Sequence, residues 1–352
     1  STRLPSHEFD NLAIEEDDSK GKERGDLSKF DHPSVVSKVK VEEEDQQRED
    51  FTNLVLWLRE NGAKFPDLYF KCYSKDVRGV HTRRQVPPYQ QIMAIPLKCI
   101  ITDETGRQTP MGKRIQAVAH KLTVPNHCQV IVYMMTQRAR GGSFFDPYFA
   151  TLPESFDNFP IFWDEEELAG LAGSDLIRQI AERKRNIRSD YDTICKAVPD
   201  FRTFTFKEFL WCRTAVGSRN FSIVVNGYKR TAMVPMADML NHFRPRETSW
   251  TFDNSQGCFT MTSLKTLGMH CQVMDSYGKK CNSKFLLHYG FTIECNREAD
   301  GKCQNEVTIP RDLLNTIDTG MIATMRHRHP AQSRAAERRA IVGRLRRMRV
   351  TM

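Results

Sequence analysis

The sequence predicts an α+β protein in which one β-rich domain is interrupted by a large helical insertion. Short strand patterns fill residues 67–104, helical patterns fill residues 111–215, and strand patterns return from residue 221. This order favours one interrupted domain over alternating strand–helix units. No Gly-x-Gly-x-x-Gly motif follows a strand and opens a helix, which disfavours a dinucleotide-binding fold. The sequence also has no repeat of fixed period.

The individual elements follow from hydrophobic spacing and from capping residues. Apolar residues at helical spacing begin near Phe51 and stop at Gly62, which predicts a helix with a glycine after its last turn. Three short strands are then predicted, around Leu68, Gly79 and Gln91. Helices in the insertion are predicted over 115–122, 130–138, 164–171, 176–198 and 206–216. Later strands are predicted over 221–232 and within 250–274.

The two ends of the chain differ strongly in charge. Residues 1–50 carry fifteen acidic and eight basic side chains, so residues 1–48 are predicted to be an acidic, disordered tail. Residues 326–352 carry nine arginines and one glutamate, within a region, 312–352, that is predicted to be partly helical. This Arg-rich end could contact nucleic acid or an acidic partner, but the solvated face of a terminal helix is favoured. The charge of the core is too diffuse to predict nucleic-acid binding.

Composition narrows the class of protein further. No run of about 18 apolar residues predicts a membrane span, and the first residues lack a secretion signal. The ten cysteines include no Cys-x-x-Cys pair, so no zinc or other metal site is expected. We therefore expect an intracellular protein with reduced thiols, in the cytoplasm or the nucleus, while a plastid stays open.

Three separated segments carry the candidate functional residues. Val77–His81 contains Gly79, where the backbone can approach a ligand closely, although an ordinary hairpin glycine explains the residue when it is taken alone. Asn241 and His242 end an apolar segment, so they either cap backbone groups or meet a polar small molecule. Tyr289 precedes a glycine after an apolar helical turn, and a lone tyrosine there is usually core packing. The segments therefore point to a function only in combination.

Together, these segments resemble the SET family of protein methyltransferases. The similar branch contains the Rubisco large-subunit lysine methyltransferase and the actin-histidine methyltransferase. The Asp-x-x-Asn-His motif at 238–242, joined to Tyr-Gly-Phe at 289–291, is specific at this spacing. The resemblance covers about 57–310. Further segments that look like landmarks of the branch lie at 145–153, 160–163 and 187–191.

The resemblance implies a domain plan and an activity. A SET domain would occupy 49–311, with its helical insertion at about 111–215, and 312–352 would begin an all-helical substrate-binding domain. The activity would be methyl transfer from S-adenosylmethionine to a lysine of a histone or non-histone protein, leaving S-adenosylhomocysteine. The cofactor and the lysine would enter from opposite sides of a narrow channel. A monomer that needs no metal is expected.

The resemblance also implies a role for individual residues. Tyr289 matches the catalytic tyrosine. The residues that match cofactor-binding positions are Arg78, Gly79, Val80, Arg219, Asn241 and His242. The residues placed on the substrate side are Ala237, Asp238 and Tyr277. Arg219 would meet the cofactor carboxylate, because a guanidinium fork suits a planar anion.

Two departures and two alternatives accompany this interpretation. Ile223 stands where the lysine-methylating relative has a second arginine, and Arg78 stands where an acidic or small residue is usual. Histidine methylation is the nearest alternative. The histidine-methylating branch carries tryptophan at the position of Ala237 and lacks the tyrosine of Tyr289, so lysine is favoured. The other alternative is a catalytically silent SET module that binds a protein partner.

Overall fold

The computed structural model describes residues 48–74, 77–298, 300–307 and 350–351. The strands are β1 (Leu68–Cys72), β2 (Arg78–Thr82), β3 (Gln91–Pro96), β4 (Ile101–Thr102), β5 (Phe221–Val225), β6 (Tyr228–Met233), β7 (Asn241–His242), β8 (Thr248–Asp253), β9 (Cys258–Ser263), β10 (Met274–Asp275), β11 (Glu306–Val307) and β12 (Val350–Thr351). The α-helices are α1 (Glu49–Glu60), α2 (Asp103–Arg107), α3 (Pro110–Gln116), α4 (Pro125–Arg140), α5 (Asp146–Phe149), α6 (Glu165–Ala169), α7 (Leu176–Ala197), α8 (Phe206–Arg219) and α9 (Asn282–Tyr289). The predicted tail at 1–48 and the predicted helical region at 312–352 lie outside the described residues, apart from Arg48, Val350 and Thr351.

Small sheets form the β-rich part of the molecule. One sheet has the order β3–β9–β8 and another has the order β4–β6–β5, while β1 and β2 form a hairpin. The register of the hairpin sets Gly79 opposite Lys71. Strands β7 and β10 pair in parallel, which sets Asn241 opposite Met274. Pairing between segments far apart in the chain therefore gathers the candidate residues.

The predicted helical insertion is present, because α2 to α8 all lie between β4 and β5. The helix predicted to begin near residue 115 is α3, which begins earlier, at Pro110. The Thr109 side chain accepts a hydrogen bond from the Gly112 N–H at 2.9 Å, and proline at the first helical position needs no hydrogen-bond partner. This cap explains the early start, and the helix ends at Gln116.

The helical insertion shares one hydrophobic core with the sheets. Ile131 of α4, Phe209 of α8 and Phe259 of β9 belong to the same cluster, and each is 0% exposed. A second, smaller cluster joins Leu176 of α7 to Leu287 of α9. The insertion is therefore one wall of the domain, and α7 and α8 pack beside the helix that carries Tyr289.

Three general features of the described residues bear on function. No helix among them is long and apolar enough to cross a membrane. They contain no cluster of three or more His, Cys, Asp or Glu side chains placed to hold a metal ion. Their cysteines are free thiols.

Candidate active site

Three distant stretches of the chain meet at one place. The Asn241 amide donates to the Arg78 carbonyl at 2.8 Å, which joins β7 to β2. The Tyr277 N–H donates to Nδ1 of His242 at 2.9 Å. The rings of Tyr277 and Tyr289 stack with their centroids 5.1 Å apart. The structure therefore brings the glycine-containing hairpin, the Asn–His pair and the tyrosine together.

The end of α9 determines where Tyr289 lies. The helix ends at Tyr289 because Gly290 adopts a left-handed conformation, with φ of 75°. A Cβ at Gly290 would lie 2.6 Å from the Asn158 amide and 2.7 Å from the Phe159 ring. Only glycine fits here, and its turn sends Phe291 back against Phe285, with ring centroids 5.1 Å apart.

His242 lies in an aromatic environment that keeps it neutral. Its ring centroid is 5.1 Å from that of Tyr277 and 4.9 Å from that of Phe285. Burial, helped by the charges of Arg244 and Lys280, lowers the pKa of His242 to about 4. Because Nδ1 accepts a hydrogen bond, the ring proton belongs on Nε2, and this buried nitrogen has no partner among the described residues. It is a donor ready for a ligand.

Tyr277 and Tyr289 are both neutral phenols. Burial raises the pKa of Tyr277 to about 12, although Arg78 and Arg219 act in the opposite direction. Burial, followed by the effect of Tyr277, raises the pKa of Tyr289 as well. The Tyr277 hydroxyl donates to the Leu240 carbonyl at 2.7 Å, whereas the Tyr289 hydroxyl makes no hydrogen bond among the described residues. The Tyr289 hydroxyl is therefore the one that a substrate can use.

Asp238 is enclosed and bonded internally. Its side chain is 0% exposed, accepts a hydrogen bond from the Tyr148 hydroxyl at 2.7 Å, and pairs with Arg219 at 3.4 Å. Burial raises the pKa of Asp238, and the charge of Arg219 opposes this. The observed role of Asp238 is to hold Arg219, which also donates to the Asp238 carbonyl at 3.1 Å. Contact of Asp238 with a substrate, and of Arg219 with a cofactor carboxylate, both stay predictions.

Ala237 follows a strained residue. Met236 has φ of 73° and ψ of −47°, a conformation that costs a non-glycine residue roughly 1–3 kcal/mol. The Met236 side chain is 0% exposed within the main core, so packing holds the strained backbone in place. Ala237 itself is 1% exposed and begins the short 3-10 turn that leads to Asn241. Contact of Ala237 with the substrate stays a prediction.

The remaining predicted cofactor residues lie on β2. Burial, followed by the charge of Arg219, lowers the pKa of Arg78 to about 10, so its guanidinium stays charged at neutral pH. No described carboxylate forms an ion pair with Arg78. Val80 is 0% exposed, and its carbonyl accepts a hydrogen bond from the Val273 N–H at 2.7 Å. Arg78 thus presents a free positive charge beside Gly79.

A hydrogen-bond chain behind the Asn–His pair is not predictable from the sequence pattern. Asn241 donates to Oε1 of Gln272 at 2.7 Å, and Gln272 donates to the Tyr73 hydroxyl at 3.0 Å. The Tyr73 hydroxyl in turn bonds Nε2 of His81. The amide end of Gln272 lies over Gly79, because a Cβ on that glycine would be 2.8 Å from it. Gly79 therefore leaves room that Gln272 fills in this structure.

A surface groove among the described residues lies elsewhere. It has a volume of about 580 Å³ and runs along α7, where Lys184, Arg188 and Phe206 line it. None of the residues predicted to bind cofactor or substrate lines it. The converging polar groups, in contrast, include the unpaired buried Nε2 of His242, a donor that a ligand can use.

Comparison with known proteins identifies the fold. No protein-family model matches the chain. It is 24% identical over 264 residues to the actin-histidine N-methyltransferase of Mus musculus, which covers 72% of this chain and 44% of that protein. The Homo sapiens protein of the same name gives the same identity and the same coverage of 72% and 44%. The chain thus spans less than half the length of the curated relatives it matches.

Solved structures give the same answer at the level of the fold. The SET domain of LSMT bound to lysine and AdoHcy superposes with a TM-score of 0.62 at 22% identity, covering 71% of this chain and 59% of that one. Rubisco LSMT bound to AdoMet superposes with a TM-score of 0.58 at 24% identity, covering 70% of this chain and 57% of that one. The predicted α+β SET fold and the resemblance to this branch are therefore confirmed.

Proposed function

Because the chain has the SET fold, we propose that it is a protein N-methyltransferase that uses S-adenosylmethionine and methylates a lysine side chain. One observation carries the proposal. The Asn–His pair bonds both to the Arg78 carbonyl on one side and to the Tyr277 N–H on the other, and Tyr277 stacks on Tyr289. In a SET domain, the site for the methyl donor and the channel for the methyl acceptor need distant segments of the chain to meet in this way.

The residues present fit a cofactor with polar and charged ends. His242 has an unpaired buried Nε2, and Arg78 has a guanidinium without an ion-pair partner. Gly79 leaves space, and the Gln272 amide that fills it is the far end of a flexible side chain. Arg78, Gly79, Asn241 and His242 would hold S-adenosylmethionine, which supplies an activated methyl group when bound. S-adenosylhomocysteine would be the product.

The protein's own residues would act mainly by position and by excluding water. Tyr289, Phe285 and Phe291 form an aromatic wall, with the Phe285 and Tyr289 centroids 6.0 Å apart. A free lysine has a pKa of about 10.4, so the attacking amine must lose a proton. The apolar wall and the Lys280 ammonium, 5.6 Å from the Tyr289 ring centroid, both disfavour a second ammonium ion. They would therefore favour the neutral amine.

The direct test uses the full chain with labelled S-adenosylmethionine and a cell extract. Labelled proteins are digested, and mass spectrometry identifies the methylated residue. We expect methyl-lysine in a protein substrate. Calorimetric titration with S-adenosylmethionine alone gives a separate readout. The absence of any binding heat would contradict the cofactor assignment and favour a silent module that binds a protein partner.

Protein-histidine methylation is the second candidate, and the sequence relatives favour it. The matched curated proteins are named actin-histidine N-methyltransferases. The pH dependence of methyl transfer separates the two acceptors. Transfer to lysine should keep rising toward a pH of about 10, whereas transfer to histidine should level off above about pH 6.5. A methyl group found on imidazole and never on lysine would replace the first proposal with the second.

A further inference from the structure

Two arginines from different helices, one buried and one partly buried, face the same place in the domain. Arg183 of α7 and Arg213 of α8 lie where these helices meet α4 and α9. The Arg213 side chain bonds Nδ1 of His127 at 3.3 Å, and Arg183 bonds Nδ1 of His288 at 2.8 Å. Arg213 is 7% exposed. The Arg213 side chain is therefore largely removed from water, and Arg183 lies partly buried in the same helical junction.

Among the described residues, no acid forms an ion pair with either arginine. Among residues 48–74, 77–298 and 300–307, no carboxylate lies within ion-pair distance of Arg183 or Arg213. Asp190 acts on Arg213 only through space, and its own carboxylate accepts hydrogen bonds from the Thr123 N–H at 2.7 Å and the Thr123 hydroxyl at 2.5 Å. The Nε atoms of both arginines are buried and have no partner. Unpaired charge of this kind is costly, so a compensating anion is expected.

The partner histidines do not relieve the charge. Burial, followed by the charge of Arg213, lowers the pKa of His127 to about 3. Burial, followed by the charge of Arg183, lowers the pKa of His288 to about 3 as well. Both imidazoles are neutral near pH 7 and serve as acceptors. Burial lowers the pKa of Arg183 to about 9, so it remains charged at that pH.

Both guanidinium groups lie against the same glycine. A Cβ on Gly217 would lie 3.2 Å from Nη1 of Arg213 and 3.4 Å from Nη2 of Arg183. The separation between Nη1 of Arg213 and Nη2 of Arg183 is therefore at most the sum of these two distances. An oxyanion bridges two guanidinium groups at such a separation, because its oxygens accept charge-assisted hydrogen bonds from both.

We propose that Arg183, Arg213 and Gly217 form a binding site for a small free oxyanion of phosphate or sulfate size. None of these three residues is predicted to bind cofactor or substrate, and the proposal does not depend on the proposed methyl transfer. It borders them, however, because His288 directly precedes Tyr289 in α9 and the charge of Arg183 acts on the Tyr289 phenol. An anion bound between the arginines would stabilise the packing of α7 and α8 against α9, the helix that ends at Tyr289.

The test measures thermal unfolding of the full chain in increasing inorganic phosphate, with chloride adjusted to hold ionic strength constant. We expect a saturable rise in Tm, of about 5 °C when phosphate is in ~100-fold excess over its dissociation constant. The control Arg185→Gln removes an exposed arginine of the same helix and should keep the response. Arg213→Met should lose it. The absence of a saturable rise in the unaltered chain, or an equal rise in Arg213→Met, would overturn the proposal.

Gly217→Ala provides a second variant in case Arg213→Met does not fold. Alanine is favoured over glycine inside a helix, so this variant should fold as well as the unaltered chain. Its Cβ would press on both guanidinium groups and shift them, so the phosphate response should fall by tenfold or more in apparent affinity, about 1.4 kcal/mol. An unchanged response in Gly217→Ala counts against the site. Methyl transfer is not measured in this experiment, so its outcome is independent of the proposed activity.

Discussion

Tyr277 stacks on Tyr289, with ring centroids 5.1 Å apart and planes inclined by 22°. The two residues reach this position from different elements, since Tyr277 follows β10 and Tyr289 ends α9. The Tyr277 hydroxyl is anchored on the Leu240 carbonyl at 2.7 Å, and its N–H is anchored on His242. The stacked ring therefore couples the position of the Asn–His pair to that of the Tyr289 phenol.

The first prediction concerns the Tyr289 hydroxyl. In Tyr289→Phe, we expect cofactor binding to be unchanged, because the ring and its stacking remain. Methyl transfer should fall by about 100-fold or more, because the transferring methyl group loses an oxygen that positions it. Calorimetry measures the binding, and single-turnover kinetics measure the transfer. Tyr228→Phe, at a tyrosine that is 66% exposed, is the matched control. Unchanged turnover in Tyr289→Phe would remove the hydroxyl from the mechanism.

The second prediction distinguishes the role of Asn241 from that of Gln272, whose side chain accepts a hydrogen bond from Asn241. Asn241→Ala removes the donor to the Arg78 carbonyl and leaves that carbonyl unpaired, which should cost about 1–3 kcal/mol of unfolding free energy. It should also weaken cofactor binding. Gln272→Ala leaves the bond between Asn241 and Arg78 intact and empties the space over Gly79, so cofactor affinity should stay equal or rise. Urea unfolding and calorimetry give the two readouts. A drop in cofactor affinity in Gln272→Ala equal to that in Asn241→Ala would contradict this division of roles.

The third prediction concerns the turn after α9. Gly290→Ala meets two costs, the left-handed φ of 75° and the overlap with Asn158 and Phe159. Gly227→Ala is the matched control, because Gly227 has a φ of 83° and nothing within 4 Å of the added Cβ. The control should lose about 1–2 kcal/mol of unfolding free energy, from the backbone conformation alone. Gly290→Ala should lose clearly more, as measured by urea unfolding. Equal losses would mean that the close packing around Gly290 does not constrain Tyr289.

Local patterns predict much of this fold, and long-range packing explains what they miss. The helix predicted over 176–198 is α7, Leu176–Ala197, because its apolar spacing is set by neighbouring turns. The same helix carries Arg183, which the sequence presents as one more basic residue in a polar run. Only packing against α8 and α9 partly buries Arg183, and only the fold brings Gln272 over Gly79. The spacing of apolar residues along a helix depends only on the nearby sequence, whereas the partners of a polar side chain depend on the whole tertiary structure.

The fourth prediction follows from the low pKa of His242. The folded-state pKa is about 4, whereas an unfolded histidine titrates near about 6.5. As pH falls below that upper value, the unfolded chain takes up a proton that the folded chain does not, so the free energy of unfolding should decrease. The decrease from His242 should continue until the pH reaches the folded-state pKa. The Gln side chain of His242→Gln does not titrate, so this variant should lose less unfolding free energy than the unaltered chain between pH 7 and pH 5. The difference corresponds to the uptake of at most one proton by the unfolded chain.

The measurement compares urea unfolding of both proteins at the two pH values. His127 and His288 also have lowered pKa values, so the variant should keep part of the pH dependence. His120→Gln, at an exposed histidine, is the control and should leave the pH dependence unchanged. If His242→Gln lost as much stability as the unaltered chain between pH 7 and pH 5, the imidazole would be protonated equally in both states. Its Nε2 could then no longer be regarded as the unpaired donor of a neutral ring, and the ligand-binding role of His242 would lose its physical basis.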